Sequence, residues 1–205
     1  VRNFLNNLAA SALAISAFTN APMVPSVELF GSSKIRTSEV LDEPIDLPTF
    51  TLIDQKGQVI EESDLLGQWH LVFFGFTHCP DICPFTLSRL GKTRQKLAEE
   101  REHVPRIVLI SVDPQRDTPA VLALYLSSFE GDVTGITGDL DQIRALANAL
   151  GIFFEKTPLN DQDYSVDHSA AILLVSPNGQ IVARIRPSQS VEDWIHDLRL
   201  IMGKE

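Results

Sequence analysis

Trp69-His70-Leu71-Val72-Phe73-Phe74-Gly75-Phe76-Thr77-His78-Cys79-Pro80-Asp81-Ile82-Cys83-Pro84 is the stretch from which the rest of the chain is read. Its first six residues form a fully apolar run apart from His70, the signature of a buried central strand. Beyond it Phe85, Leu87, Leu90 and Leu97 recur roughly at helical spacing, to about Glu102. The 2 cysteines of this 205-residue chain therefore stand four positions apart at a strand-to-helix junction. Such a C-x-x-x-C pair can hold a soft metal or cycle between dithiol and disulfide. Both uses need thiolates, and the positive end of a helix macrodipole with its free N–H groups favours them. The plainer reading is a structural disulfide. It would close a loop of about five residues and contribute roughly 2 kcal/mol at most, against about 3 for fifteen. A chain this long buries a full core without such a staple.

Composition narrows the function classes. A formal net charge of −10 argues against nucleic acid as a partner and suits a protein that meets cations or basic partner faces. With 44% hydrophobic and 21% charged residues the chain is ordinary for a globular domain. Two cysteines exclude a four-cysteine zinc framework. Residues 1–21 read as a signal-like or weak anchor segment, because Arg2 precedes the apolar, small-residue run Leu8 to Phe18. That run of about 11 residues has the length of a signal h-region and falls short of the roughly 20 needed to span a bilayer. Residues 22–47 lack periodicity, carry Pro22, Pro25, Gly31, Ser32, Ser33 and Pro44, and read as a linker. The domain is then 48–205.

Within it, Phe50–Ile53 and Gln58–Ile60 flank Asp54-Gln55-Lys56-Gly57 as a hairpin. Arg106–Val112 is a second buried strand. Thr118 caps a helix that begins at Pro119, and Asp139 caps another that ends at Gly151. Gly135–Thr137 and Ile152–Glu155 read as short extended segments, Ala170–Val175 and Gln180–Arg184 as a hairpin. Ser190, with Asp193 three residues on, opens the last helix. Strands alternating with helices, then a terminal hairpin and helix, give an α/β protein with a central mixed β-sheet flanked by helices. The order resembles a thioredoxin-like fold with an added N-terminal β-hairpin. In that layout the cysteines leave the C-terminal end of a central strand, where the ligands of open sheets gather.

Five histidines are candidates for a third ligand. His196 and His103 read as surface residues, and His70 as a satisfied structural histidine. His78 adjoins Cys79, but neighbouring side chains of an extended segment point apart. His168 ends the polar, acidic stretch Pro158 to Asp167, directly before the Ala170 strand. A loop of that length in a compact domain is usually functional or mobile. The residues alone leave two readings of His168 open, ligand or strand cap. The acids Asp161, Asp163 and Asp167 likewise read either as a charge-steering loop or as a solvated one.

Phe76–Pro84, then Ser111-Val112-Asp113-Pro114-Gln115-Arg116-Asp117-Thr118-Pro119, then Tyr164-Ser165-Val166-Asp167-His168 resemble the three signatures of the Sco/SenC family, in order and over roughly residues 48 to 203. That family comprises thioredoxin-fold copper chaperones for the binuclear copper site of cytochrome c oxidase. The resemblance implies that Cys79, Cys83 and His168 bind copper, as Cu(I) and/or Cu(II), and that Asp113 is a functionally important acid near the site, placed to orient a ligand. It implies as partner the copper-site subunit of the oxidase, with another copper chaperone or thiol oxidoreductase as further partners, and proximity to a membrane. The expected location is the periplasm, attached to the inner membrane or free; the mitochondrial intermembrane space is the alternative. The family's membrane-spanning helix is weak or absent in this sequence.

Two thiolates and an imidazole suit three-coordinate Cu(I), whereas zinc usually takes a fourth strong ligand. A copper metallochaperone is therefore the first functional expectation. The alternative is a thiol–disulfide reductase that keeps the oxidase's copper-ligand cysteines reduced, with Cys79 attacking and Cys83 resolving in a redox-active dithiol. C-x-x-x-C spacing and the lack of a proline directly before the Ala170 strand weigh against a plain oxidoreductase. A thiol peroxidase and a copper or redox sensor are weaker expectations.

Overall fold

The computed structural model of the chain describes residues 34–100, 103–160 and 162–203. In chain order its strands are β1 (Glu39–Asp46), β2 (Thr51–Asp54), β3 (Val59–Glu61), β4 (His70–Gly75), β5 (Arg106–Ser111), β6 (Val133–Thr137), β7 (Phe154–Pro158), β8 (Tyr164–His168), β9 (Ile172–Val175) and β10 (Gln180–Ile185). The helices are α1 (Ile82–Glu99), α2 (Pro119–Leu126), α3 (Leu140–Ala149) and α4 (Val191–Met202). Eight strands form one sheet in the order β1-β10-β9-β4-β5-β6-β2-β3, and β7 and β8 form a separate two-stranded ribbon. The expected α/β mixed sheet holds, with β2–β3 as the added hairpin.

The centre of the sheet is where the sequence is most apolar. Every residue of β4 and β9 is buried, and β5 is buried from Ile107 on. Helices α1 and α4 pack on each other and α2 covers β6. β4, β5 and β6 run parallel, while β9 is antiparallel to β4. The register decides where the loops emerge. Gly75 lies opposite Ser111, and the Val112 N–H donates to the Gly75 carbonyl at 2.9 Å. The loops after β4 and β5 thus leave side by side. Because β9 enters antiparallel, with Ile172 opposite Phe73, the segment before it arrives at the same end. Three loops converge there: 76–81, 112–118 and 169–171.

Three expectations change. The signal-like segment 1–21 and the linker as far as residue 33 lie outside the described residues. The rest of the proposed linker is part of the domain: β1 pairs antiparallel with β10, Glu39 opposite Arg184 and Asp46 opposite Gln180. Sequence periodicity misses β1 because it is an edge strand with almost every residue exposed, held by backbone bonds rather than by a buried face. Just before it, the Asp197 carboxylate on α4 accepts the N–H groups of Arg36, Thr37 and Ser38 at 2.8, 2.9 and 2.8 Å. Burial works against that charge, but the three N–H groups outweigh it and hold the carboxyl below its ordinary value. The compact unit accordingly starts at Lys34, not at 48.

The acidic loop is also largely structured. β7 and β8 pair from Phe154–His168 to Pro158–Tyr164. The ribbon buries only Phe154 and Val166, too little apolar signal to betray two strands. Finally, Asp193 does not close a full capping box: the Ser190 hydroxyl accepts from the Asp193 N–H at 3.0 Å and donates to its carboxylate at 2.7 Å. Among the described residues no helix is long and apolar enough to cross a membrane.

Candidate metal centre

Gly75 ends β4 beneath the cysteines. A Cβ there would sit 2.9 Å from Phe73 Cε1, 3.0 Å from Cys83 Sγ and 3.1 Å from Leu109 Cδ1. A glycine lets the Cys83 sulfur settle against the strand end. Cys83 lies in the first turn of α1 and is fully buried, while Cys79 sits in the preceding loop, 9% exposed. Both are free thiols.

The helix-end environment expected for both sulfurs acts on them unequally. Cys79 is lowered to about 4, first by the hydrogen bond it accepts from Cys83, against burial, and then by His168 and the Asp81 and Cys83 N–H groups. Cys83 is pushed up by the same bond, by burial and by the negative charge of Cys79. The shared bond thus favours the thiolate on Cys79 and the proton on Cys83.

His168 closes the group from β8. Its Nε2 is 3.5 Å from Cys83 Sγ, and its Nδ1 is 3.0 Å from the Ser169 carbonyl. That oxygen only accepts, so Nδ1 carries a proton and Nε2 is the ring nitrogen that faces the sulfurs. Phe73 and Phe76 hold the ring edge-on, with centroids 6.1 and 5.8 Å away. The two Sγ atoms and a ring nitrogen all lie within 4.8 Å of one another. Three planar bonds of about 2.0–2.3 Å place ligand atoms about 3.5–4 Å apart, so a small contraction of this triangle seats one ion. The donor set is soft and three-fold, which fits Cu(I).

The SCO1/SenC family model matches residues 41–203 of this chain. The chain belongs to the SCO1/SenC family. A Stutzerimonas stutzeri protein named for copper binding is 38% identical over 203 residues, 98% of this chain and 98% of that one. Protein SCO2 homolog, mitochondrial, of Bos taurus is 38% identical over 170 residues, 80% of this chain and 64% of that protein. The chain thus spans less than two thirds of the bovine relative's length. The crystal structure of Arabidopsis thaliana ScoI with copper bound matches with a TM-score of 0.74 and 34% identity, over 77% of this chain and 98% of that one.

Within the SCO1/SenC frame the other sequence candidates separate. His70 is buried with Nδ1 3.0 Å from the Gln68 carbonyl, and burial lowers its pKa, as a satisfied structural histidine should behave. His78 and His103 are exposed. His196 is half-buried rather than on the open surface, with Nε2 3.3 Å from the Lys34 carbonyl. Asp113 is fully buried, but it bonds neither sulfur nor imidazole. Its carboxylate accepts from Arg116 Nε and, at 2.8 Å, from the Tyr164 hydroxyl. Of the acidic stretch, Asp163 bonds Arg116 and Asp167 bonds the Thr157 hydroxyl at 2.6 Å, so both serve the ribbon; Asp161 lies outside the described residues.

The residue missed by sequence reasoning is Asp117. Its buried carboxylate accepts from the Thr77 N–H at 3.0 Å, the Thr77 hydroxyl at 2.6 Å and the Ser111 hydroxyl at 2.7 Å. It pins the backbone two residues before Cys79. In the sequence it stands inside the second family signature but beside a helix cap, which reads as capping. The in-register pairing of β4 and β5 is what brings it to Thr77.

Proposed function

We propose that this chain binds one copper ion through Cys79, Cys83 and His168 and delivers it to the copper-site subunit of a cytochrome c oxidase during assembly. The observation that carries this reading is the convergence of two sulfurs and one oriented imidazole nitrogen at the loop end of the sheet. Membership of the SCO1/SenC family and the likeness to a plant relative solved with copper support it. The residues suit a carrier. Cys79 is the sulfur held toward the thiolate. Cys83 then gives up its proton as it binds, and His168 completes the set through Nε2. Release runs the other way: incoming thiolates of the acceptor displace one ligand at a time. The site belongs in a compartment where copper is handed over and thiols can oxidise, the periplasm or the intermembrane space.

One observation favours a second reading. A thiolate beside a buried thiol is the arrangement of an attacking and a resolving cysteine. Cys79 would attack a partner disulfide, forming a mixed disulfide and expelling one partner thiolate. Cys83, losing its proton, would displace the second, leaving the partner reduced and Cys79–Cys83 oxidised. His168 has no electron to contribute to that exchange.

Anaerobic Cu(I) titration of the reduced protein against a competing chelator separates the two. One-to-one binding that weakens in Cys79→Ala, Cys83→Ala and His168→Ala is expected. Binding indifferent to His168→Ala, with disulfide exchange intact, would overturn the carrier reading in favour of the reductase.

A further inference from the structure

We infer that Arg116 is the positioning residue that presents His168 to the two sulfurs; this rests on the copper-site reading above. The β7–β8 ribbon is outside the main sheet, and a two-stranded ribbon is marginal alone. Its base is clamped strand to strand, and its outer end must be tied down to hold an imidazole in place. At its base the Ser169 N–H donates to the Phe153 carbonyl at 2.8 Å, and the Phe153 N–H to the Ser169 hydroxyl at 3.0 Å. At its outer end the ties run to the loop after β5, and Arg116 is their centre.

Arg116 Nε donates to the buried Asp113 carboxylate. Its Nη1 donates to the Tyr164 carbonyl at 3.0 Å and to Asp163 Oδ1 at 3.2 Å. Its guanidinium carbon lies 3.8 Å from the Tyr164 ring centroid and 5.9 Å from that of Phe76. Tyr164, Val166 and His168 alternate along β8 and therefore face one side. Tyr164 reaches Asp113, Val166 is buried and His168 meets Cys83. Fixing Tyr164 sets the seat of the whole face. A second route runs through Phe76, whose ring centroid lies 5.9 Å from the Arg116 guanidinium carbon and 5.8 Å from the His168 ring centroid. A lysine has one charged point and no planar fork, so it cannot bond Asp113, bond the ribbon and stack at once.

The test compares Arg116→Ala and Arg116→Lys in the wild-type and His168→Ala backgrounds, with Cu(I) as the probe. Loss of an outer partner lowers metal affinity by about 10- to 100-fold. That loss is expected for Arg116→Ala in the wild-type background, with little further loss once His168 is gone. Nitrogen hyperfine coupling in the Cu(II) spectrum should weaken in step, and Arg116→Lys should recover only part. Equal losses in both backgrounds, or unchanged nitrogen coupling, would overturn the inference. Amide exchange along β8 in the metal-free protein gives an independent reading. Arg116→Lys should speed it while leaving β4 and β9 protected; unchanged β8 protection would overturn the inference. Wild-type protein that fails to bind copper would instead sink the copper-site reading, and the exchange result would still decide whether Arg116 holds the ribbon.

Discussion

The two halves of the site are built differently. The sulfurs come from the centre of the domain: β4 is buried throughout, Gly75 is cramped on three sides, and Asp117 locks the start of their loop with two hydrogen bonds from Thr77 and a third from Ser111 of β5. The imidazole comes from a ribbon that buries two side chains and depends on polar ties to the loop after β5. A rigid half and a tethered half teach how one site can both hold and release a soft ion. On the copper reading proposed above, the sulfurs would give affinity and the histidine would be the first ligand for an acceptor to displace.

The sharpest way to break this contrast is to remove a sulfur. Cys83→Ser should lower Cu(I) affinity by more than about a hundredfold, beyond the range for loss of an outer partner, whereas His168→Ala should lower it less. Competition titration of both variants checks the order. Next comes the lock on the rigid half. Asp117→Ala leaves the Thr77 N–H and two hydroxyls without their buried acceptor and should destabilise the domain by about 1–3 kcal/mol in urea unfolding. Smaller is the corresponding change on the tethered half. Tyr164→Phe removes one hydroxyl from Asp113 and should cost about 1 kcal/mol, felt as faster amide exchange in β8 while β4 and β9 stay protected. Equal speeding in β4 would erase the distinction between the halves.

The subtlest effect is in pH. With Cys79 held down to about 4 and Cys83 pushed up, copper bound at the proposed site should displace one proton, from Cys83. Between pH 7 and 8 the apparent Cu(I) affinity should therefore rise about tenfold per unit, and not a hundredfold. Iodoacetamide should modify Cys79 down to mildly acidic pH and spare Cys83. A slope of two protons would mean that both sulfurs start protonated.

What was legible in the sequence follows the same division. The rigid half announced itself: an apolar run that admits only a buried strand, two cysteines at its end, and helix caps at Thr118, Asp139 and Ser190 that the structure retains. The tethered half did not. Val166 is the lone buried residue of β8, so the strand read as loop, and His168 stood between ligand and cap until the resemblance to three motifs weighted it. β1 was lost for a related reason, since an exposed acidic edge strand has no face to alternate. Asp117 and Arg116 were visible as letters but not as roles. Their partners, Thr77 and Tyr164, lie 40 and 48 residues away, and only strand register and a ribbon's seat bring them together.

The most direct measurement is X-ray absorption at the copper edge on the Cu(I)-loaded protein, beside His168→Ala. Two sulfurs and one imidazole nitrogen around a three-coordinate ion, with the nitrogen lost in His168→Ala, is the predicted result. A two-sulfur ion with no nitrogen, identical in both proteins, would mean that the ribbon supplies no ligand and that the central claim is wrong.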